Sequence, residues 1–335
     1  MSSLAFNSTF TLDPSQATWI GQGLVRPECV LAYPSGRLVT SDWRSGVAMS
    51  EGQNSTLIRA ELPNGRPLRP NGIAPLPNGS WLLADLGEER GGVFELSPQG
   101  DVMPFLEAVD GVELPPSNFV CVDHKGRIWI TVSTRIKPRA KAYRPDIKDG
   151  FIILVDKLGA RVVADGLGYA NEVLITPDGL WLYVNETFSR CLTRYRITMN
   201  NDLVDRTVIT RFDAGTFPDG LAMDVTGAIW VVSIVANRII RVFPDGSQHV
   251  VIEDCPADHL TWVESAFQDG TMGRPHLDKH PAKTLRNISS IAFGGVDLRT
   301  IYVGCLLGDS IATFRVPVTG NLPSHWSWPT RRIQS

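Results

Sequence analysis

Apolar runs of four to six residues recur along the chain, each entered through a polar residue and a tight glycine turn. Arg26-Pro27-Glu28-Cys29-Val30 leads to the turn at Ser35-Gly36 and the strand-like Leu38-Val39-Thr40-Ser41-Asp42. Asn71-Gly72-Ile73-Ala74 leads to Asn78-Gly79 and Trp81-Leu82-Leu83-Ala84-Asp85, and Asn118, Asn171 and Asp219 open three further copies. The distance from the opening residue to the turn glycine is eight in all five: 36−28, 79−71, 126−118, 179−171 and 227−219. A sixth copy starts at Ser289-Ser290-Ile291-Ala292, with a longer turn through Asp297-Leu298-Arg299. The runs are short and rich in Val, Ile and Trp, which predicts strands rather than helices.

The copies begin 43, 47, 53, 48 and 70 residues apart. A unit of this length carrying four short strands is a propeller blade. The expected fold is therefore all-β: a six-bladed β-propeller with four-stranded antiparallel blades around a central channel. Residues 1–16 read as an N-terminal arm, 17–320 as one propeller domain and 321–335 as a C-terminal tail. The strand-like stretch at 18–25 precedes the first blade and is expected to complete the last one, which removes an open edge. Two excesses in spacing, 133–149 and 254–287, are loops of the length that serves as active-site lids. The first carries Arg135, Lys137, Arg139, Lys141 and Arg144; the second carries Trp262, His276 and His280.

A formal charge of −3 over 335 residues provides no basic stripe, which argues against nucleic acid as a partner. The chain has no apolar run long enough to span a membrane and no secretory leader pattern at Met1-Ser2-Ser3. The five cysteines lack a C-x-x-C pair and read as reduced thiols packed in a cytoplasmic protein. Hydrolase elbows, zinc-protease helices, Walker loops and dinucleotide fingerprints do not occur.

Candidate chemistry comes from the repeat itself. The innermost strands of a propeller run the same way, so their opening residues converge on one rim. Glu28, Asn71, Asn118, Asn171, Asp219 and Ser289 then form a ring of two carboxylates, three amides and a hydroxyl. Oxygen donors of this kind select Ca²⁺, Mg²⁺ or Mn²⁺. The plainer alternative is that repeated Asn and Asp residues cap repeated turns. Glu28 does not suit that role, because glutamate is a poor turn residue.

At these positions the chain resembles the senescence marker protein/gluconolactonase family, which includes regucalcin and bacterial sugar lactonases. Pro27-Glu28-Cys29, Ser117-Asn118-Phe119-Val120, Ala170-Asn171-Glu172-Val173 and Phe217-Pro218-Asp219-Gly220-Leu221-Ala222-Met223-Asp224 carry the resemblance, together with Ser290-Ile291-Ala292-Phe293-Gly294-Gly295. It implies a single divalent cation at the channel mouth, Ca²⁺ ahead of Mg²⁺, Mn²⁺ or Zn²⁺. Glu28, Asn171 and Asp219 fall on its protein ligands, and Asn118 on a fourth position for metal or substrate. Asp219 falls on the base or nucleophile. Substrate contacts are expected from Asn71, Asn118 and Ser289, and from Arg144 of the cationic loop, where Arg135, Lys137, Arg139, Lys141 or Arg144 would meet an anionic substrate group; the plainer reading of these cations is a solvated loop face. The chain departs from the family at Phe119 and Glu172, where Asp or Gly is usual. It also has no arginine near Pro116, where animal members hold sugar hydroxyls. The implied activity is metal-dependent opening of a small lactone to its hydroxy acid. Hydrolysis of phosphotriesters or other esters on the same metal, and a propeller that only binds a ligand or protein, are the alternatives.

Overall fold

The structure, a computed structural model, describes residues 9–62, 65–279 and 281–328. Six four-stranded antiparallel sheets are arranged around a channel. The innermost strands of five blades are Val30–Ala32, Pro70–Pro75, Ser117–Val122, Ala170–Ile175 and Thr216–Met223. The sixth is Ile288–Gly294, and each packs against the innermost strands on either side, closing the ring. The five turn glycines of the repeat have φ between 71° and 90°, a region that residues with a Cβ rarely enter. The constant offset of eight thus reflects one turn geometry used five times.

Burial falls from the axis outward. Trp81–Asp85, second in its blade, is buried along its length, whereas Val102–Leu106 at the rim of the same blade is half-exposed. The second strands therefore read as unbroken apolar runs, the pattern of a strand covered on both faces. Thr18–Ile20 pairs with Ile311–Arg315 as the outer strand of blade six, with Trp19 opposite Ala312. The closing strand is shorter than the stretch 18–25, because Gly21 and Gly23 turn the chain at positive φ.

Two aspartates brace the turns of the third and fifth repeats. Asp123 accepts from the backbone of Lys125 and Arg127, from Arg127 Nε and from Trp129 Nε1. Asp224 accepts from the backbone of Thr226 and from Trp230 Nε1, and its ion pair with Arg241 is wholly enclosed. Each aspartate satisfies several buried donors at once.

The far end of the channel is covered by the described part of the C-terminal segment. Ser324 Oγ donates to Val122 O, His325 Nε2 lies 2.9 Å from Ala32 O, and Trp326 and Trp328 pack against blades one and three. Burial holds the His325 imidazole below its ordinary pKa; His124 adds to this, and the Ala32 carbonyl opposes it. A depressed histidine contributes stability above its unfolded pKa of about 6.5 and loses it as pH falls towards the folded value. Acidification from pH 7.5 to 5.5 should therefore loosen this segment before the blades. Hydrogen exchange should rise at 322–328 first, and His325→Phe should abolish that pH dependence.

The stretch 254–287 is not all loop. It contains α1, Ala257–Gln268, and the short α2, Arg274–Leu277. Buried His259, Val263, Ala266 and Phe267 form the inward stripe of α1. His280 lies outside the described residues. Among the described residues no helix is long and apolar enough to cross a membrane, and all five cysteines are free thiols.

Candidate functional site

The ring residues reach the rim through a shared backbone irregularity. The antiparallel register slips between Pro70 and Ile73, Ser117 and Phe119, Ala170 and Val173, Pro218 and Leu221, and Ile288 and Ser290. Asn71, Asn118, Asn171, Asp219 and Ser289 lie within these slips. A bulge re-aims a side chain that regular pleating would send elsewhere. Glu28 stands two residues before the first inner strand, where Ser289 Oγ donates to its carbonyl oxygen at 2.9 Å. A Cβ on Gly220 would lie 2.5 Å from Ser289 O, so the strand carrying Asp219 touches its neighbour there.

A relay of hydrogen bonds orients the amides. Thr187 Oγ1 donates to Pro218 O at 2.8 Å, so it accepts from Asn171 Nδ2 at 3.1 Å. Asn171 consequently presents Oδ1, which accepts from Asn118 Nδ2 at 2.5 Å. Asn118 Oδ1 in turn accepts from Asn71 Nδ2 at 3.0 Å and from Arg139 Nη2 at 3.3 Å. The chain of donors ends at Asn71 Oδ1, a buried acceptor without a partner.

The carboxylates complete the ring. Glu28 and Asp219 are both buried, and Glu28 accepts from Arg26 Nε at 3.0 Å. The Asp219 carboxylate accepts no hydrogen bond among the described residues. Burial and the charges of Glu28 and Glu172 hold its pKa well above the ordinary carboxylate value, against the pull of Arg26 and Arg139. Glu172 is buried within the channel and accepts from Leu221 N at 2.9 Å. Burial, with Glu28 adding to it, pushes its pKa up to about 8. This set of donors fits a hard dication. Two carboxylates oppose its charge, and the Asn171 and Asn71 oxygens are aimed by a relay that leaves one of them unsatisfied. No histidine or cysteine is among the described residues lining the pocket, so the set does not favour Zn²⁺.

Above the ring lies a cavity of about 410 Å³ lined by Arg26, Glu28, Asn118, Asn171 and Asp219, and roofed by parts of both long excursions. Ala142 and Tyr143 from one and Val263, Phe267 and Leu277 from the other join Phe188 and Phe217 in a single apolar cluster. Phe188 stacks on Tyr143 at 4.7 Å, and Phe217 meets Phe267 edge-on at 5.2 Å. The two excursions form one cap.

Arg144 is not brought to this cavity. It pairs with Asp146 on an exposed surface, while Arg139, five residues earlier, turns inward. Ser289 spends its hydroxyl on Glu28 O, and Asn71 sits in the relay beside Asn118. Arg26, Tyr143 and Tyr169 also line the site and are not among the residues expected from the sequence. Arg26 stands in the opening motif itself, two residues before Glu28.

A sequence profile of the SMP-30/Gluconolactonase/LRE-like region matches residues 30–267. The chain belongs to this family. A Pseudomonas putida protein named 6-deoxy-6-sulfogluconolactonase is 28% identical over 218 residues, 64% of this chain and 62% of that protein's own length. A Xanthomonas campestris structure described as a gluconolactonase superposes with a TM-score of 0.63 at 17% identity, covering 88% of each chain. A structure of the calcium-binding protein regucalcin from Agrobacterium tumefaciens strain C58 does so with a TM-score of 0.61 at 16% identity, covering 94% of this chain and 96% of the other. At these identities the two structures speak to the fold.

Proposed function

We propose that the protein is a lactonase that uses one divalent cation held by Glu28, Asn171 and Asp219, with Asn118 beside them. The observation that carries this reading is the pair of buried carboxylates at the rim with amide oxygens aimed by the Thr187 relay. Membership of a family that includes gluconolactonases and the name of the Pseudomonas relative support a sugar lactone as the substrate class. A divalent cation supplies Lewis-acid polarisation of the lactone carbonyl and favours the ionised form of both carboxylates. Of the candidates, Ca²⁺ suits the all-oxygen donor set best, and the regucalcin likeness is consistent with it.

The protein's own groups do the rest. Asp219 takes a proton from water as the water oxygen bonds to the carbonyl carbon. It then returns that proton to the ring oxygen as the ring C–O bond breaks, leaving the hydroxy acid. Asn118 orients the substrate beside Asn171. The cap, through Tyr143 and Leu277 together with Leu306 of blade six, limits access of bulk water, which strengthens every charge interaction beneath it.

Chelator-treated protein should lose turnover of glucono-δ-lactone and related lactones by at least ~100-fold, and added Ca²⁺, Mg²⁺ or Mn²⁺ should restore it. The check is a rate panel that includes a phosphotriester. Faster phosphotriester hydrolysis would replace the lactonase reading with the esterase one. No turnover of any substrate, with or without cation, would leave a binding propeller.

A further inference from the structure

Four guanidinium groups face the site cavity: Arg26, Arg69, Arg139 and Arg274. Three are matched by carboxylates, Arg26 with Glu28, Arg69 with Glu88 and Arg274 with Asp278. Arg139 has no acidic partner within ion-pair distance among the described residues. Its Nε donates to Tyr169 Oη at 2.7 Å and its Nη2 to Asn118 Oδ1 at 3.3 Å, both neutral acceptors. Its Nη1 is enclosed and has no acceptor at all. A half-buried guanidinium whose hydrogen bonds all go to neutral groups, with one nitrogen enclosed and unpaired, gains from the arrival of a counter-charge. The acids at the floor do not meet this need. Glu28 and Asp219 feel the Arg139 charge at longer range, but the two together would balance a dication, so a loaded site keeps the charges of Arg26 and Arg139 in excess.

We propose that the substrate carries a fixed negative charge away from its lactone carbonyl, and that Arg139, lowered into the cavity by the cap, is the residue that receives it. This rests on the lactonase reading and names its substrate class: an anionic lactone bearing a carboxylate, sulfonate or phosphate. A planar guanidinium with free donors matches the oxygens of any of the three. Tyr143 and Tyr169 flank the position; Tyr169 holds Nε and Asn118 one Nη2 proton, which leaves the two Nη1 protons and the other Nη2 proton for the ligand. Because Arg139 also reaches Asn118, its occupation by an anion would fix the ring-side amide as well. The subsite and the reacting centre are thus joined by one hydrogen bond.

The test compares kcat/KM on glucono-δ-lactone with that on its 6-sulfo, 6-phospho and 6-carboxylate counterparts. Wild-type protein is expected to favour at least one anionic lactone by 10-fold or more, and the three arms distinguish the anions. Arg139→Met should lower that rate by about 30-fold or more, mainly through KM, and the neutral-lactone rate by a smaller factor, because the hydrogen bond to Asn118 is lost with either substrate, so that the preference for the anionic lactone falls by about 10-fold or more. Arg139→Lys should recover part of the loss. Equilibrium dialysis with labelled 6-phosphogluconate against gluconate provides a readout that needs no turnover. Preferential binding of 6-phosphogluconate that disappears in Arg139→Met supports the subsite even if no lactone is opened, which would sink only the lactonase reading. A wild-type protein that treats neutral and anionic ligands alike overturns the proposal, whether or not the variants fold. So does an Arg139→Met protein that loses both equally.

Discussion

Asp219→Asn is expected to lower kcat/KM by about 10³-fold on any lactone that the wild type opens, without lowering the melting temperature. The two halves of this expectation have separate causes. Activity falls because Asp219 is the only acid of the inner-strand ring, Glu28 apart, and the amide removes both a proton acceptor and a charge that would face the proposed cation. Stability holds because the carboxylate accepts no hydrogen bond among the described residues, so the isosteric amide breaks none. Burial beside Glu28 and Glu172 already disfavours the charged form. A raised acid pKa means that stability is full below the unfolded value and declines as pH rises through the folded one. In chelated protein near neutral pH the neutral amide should therefore be tolerated or mildly stabilising. Steady-state rates and a thermal melt on the same preparation check this. Retained activity would remove Asp219 from the chemistry, and a collapsed melt would make it a folding residue.

Five residues further on, Asp224→Ala should do the opposite, destabilising the fold by about 3–5 kcal/mol. Asp224 lies below the rim, with its side chain fully enclosed and serving Trp230 Nε1, the Thr226 backbone and Arg241 together. Alanine removes the carboxylate opposite a buried guanidinium and leaves the indole donor without its acceptor. Denaturant unfolding of the full chain measures the loss. A midpoint within experimental error of wild type would show that the turn holds without its brace. The contrast between Asp219 and Asp224 separates site from scaffold within one motif.

The architecture was legible because it is written six times. A glycine held at one distance from the opening residue reports a turn that demands positive φ, and a second strand buried on both faces reports itself as an unbroken apolar run. The rim was legible for the same reason, since equivalent positions in a closed ring must converge. What converges there was less legible. The register slips that aim Asn118, Asn171 and Asp219 leave no mark in the hydrophobic pattern, because the strands on either side keep their apolar residues. The part played by Thr187 depends on its hydroxyl meeting Pro218 O of the next blade, a contact across 31 residues of chain.

The cap shows where a signal existed and was missed. His259, Val263, Ala266 and Phe267 follow helical spacing after Pro256, yet 254–287 reads as loop when strands are being sought. Within the cationic loop the choice between Arg139 and Arg144 turns on local acids. Arg144 has Asp146 two residues on, and Arg135 is taken by Asp165. Arg139 has no acid nearby in sequence and is the one that points inward.

The proposed chemistry requires that rim oxygens of Glu28, Asn171 and Asp219 converge on a single cation. A crystal of chelated protein soaked in Mn²⁺ and measured for anomalous scattering tests it directly. One peak per chain is expected, at roughly 2.0–2.6 Å from oxygens of all three side chains, and it should disappear in Asp219→Asn. A rim without a peak, or a peak that survives that substitution unchanged, would contradict it.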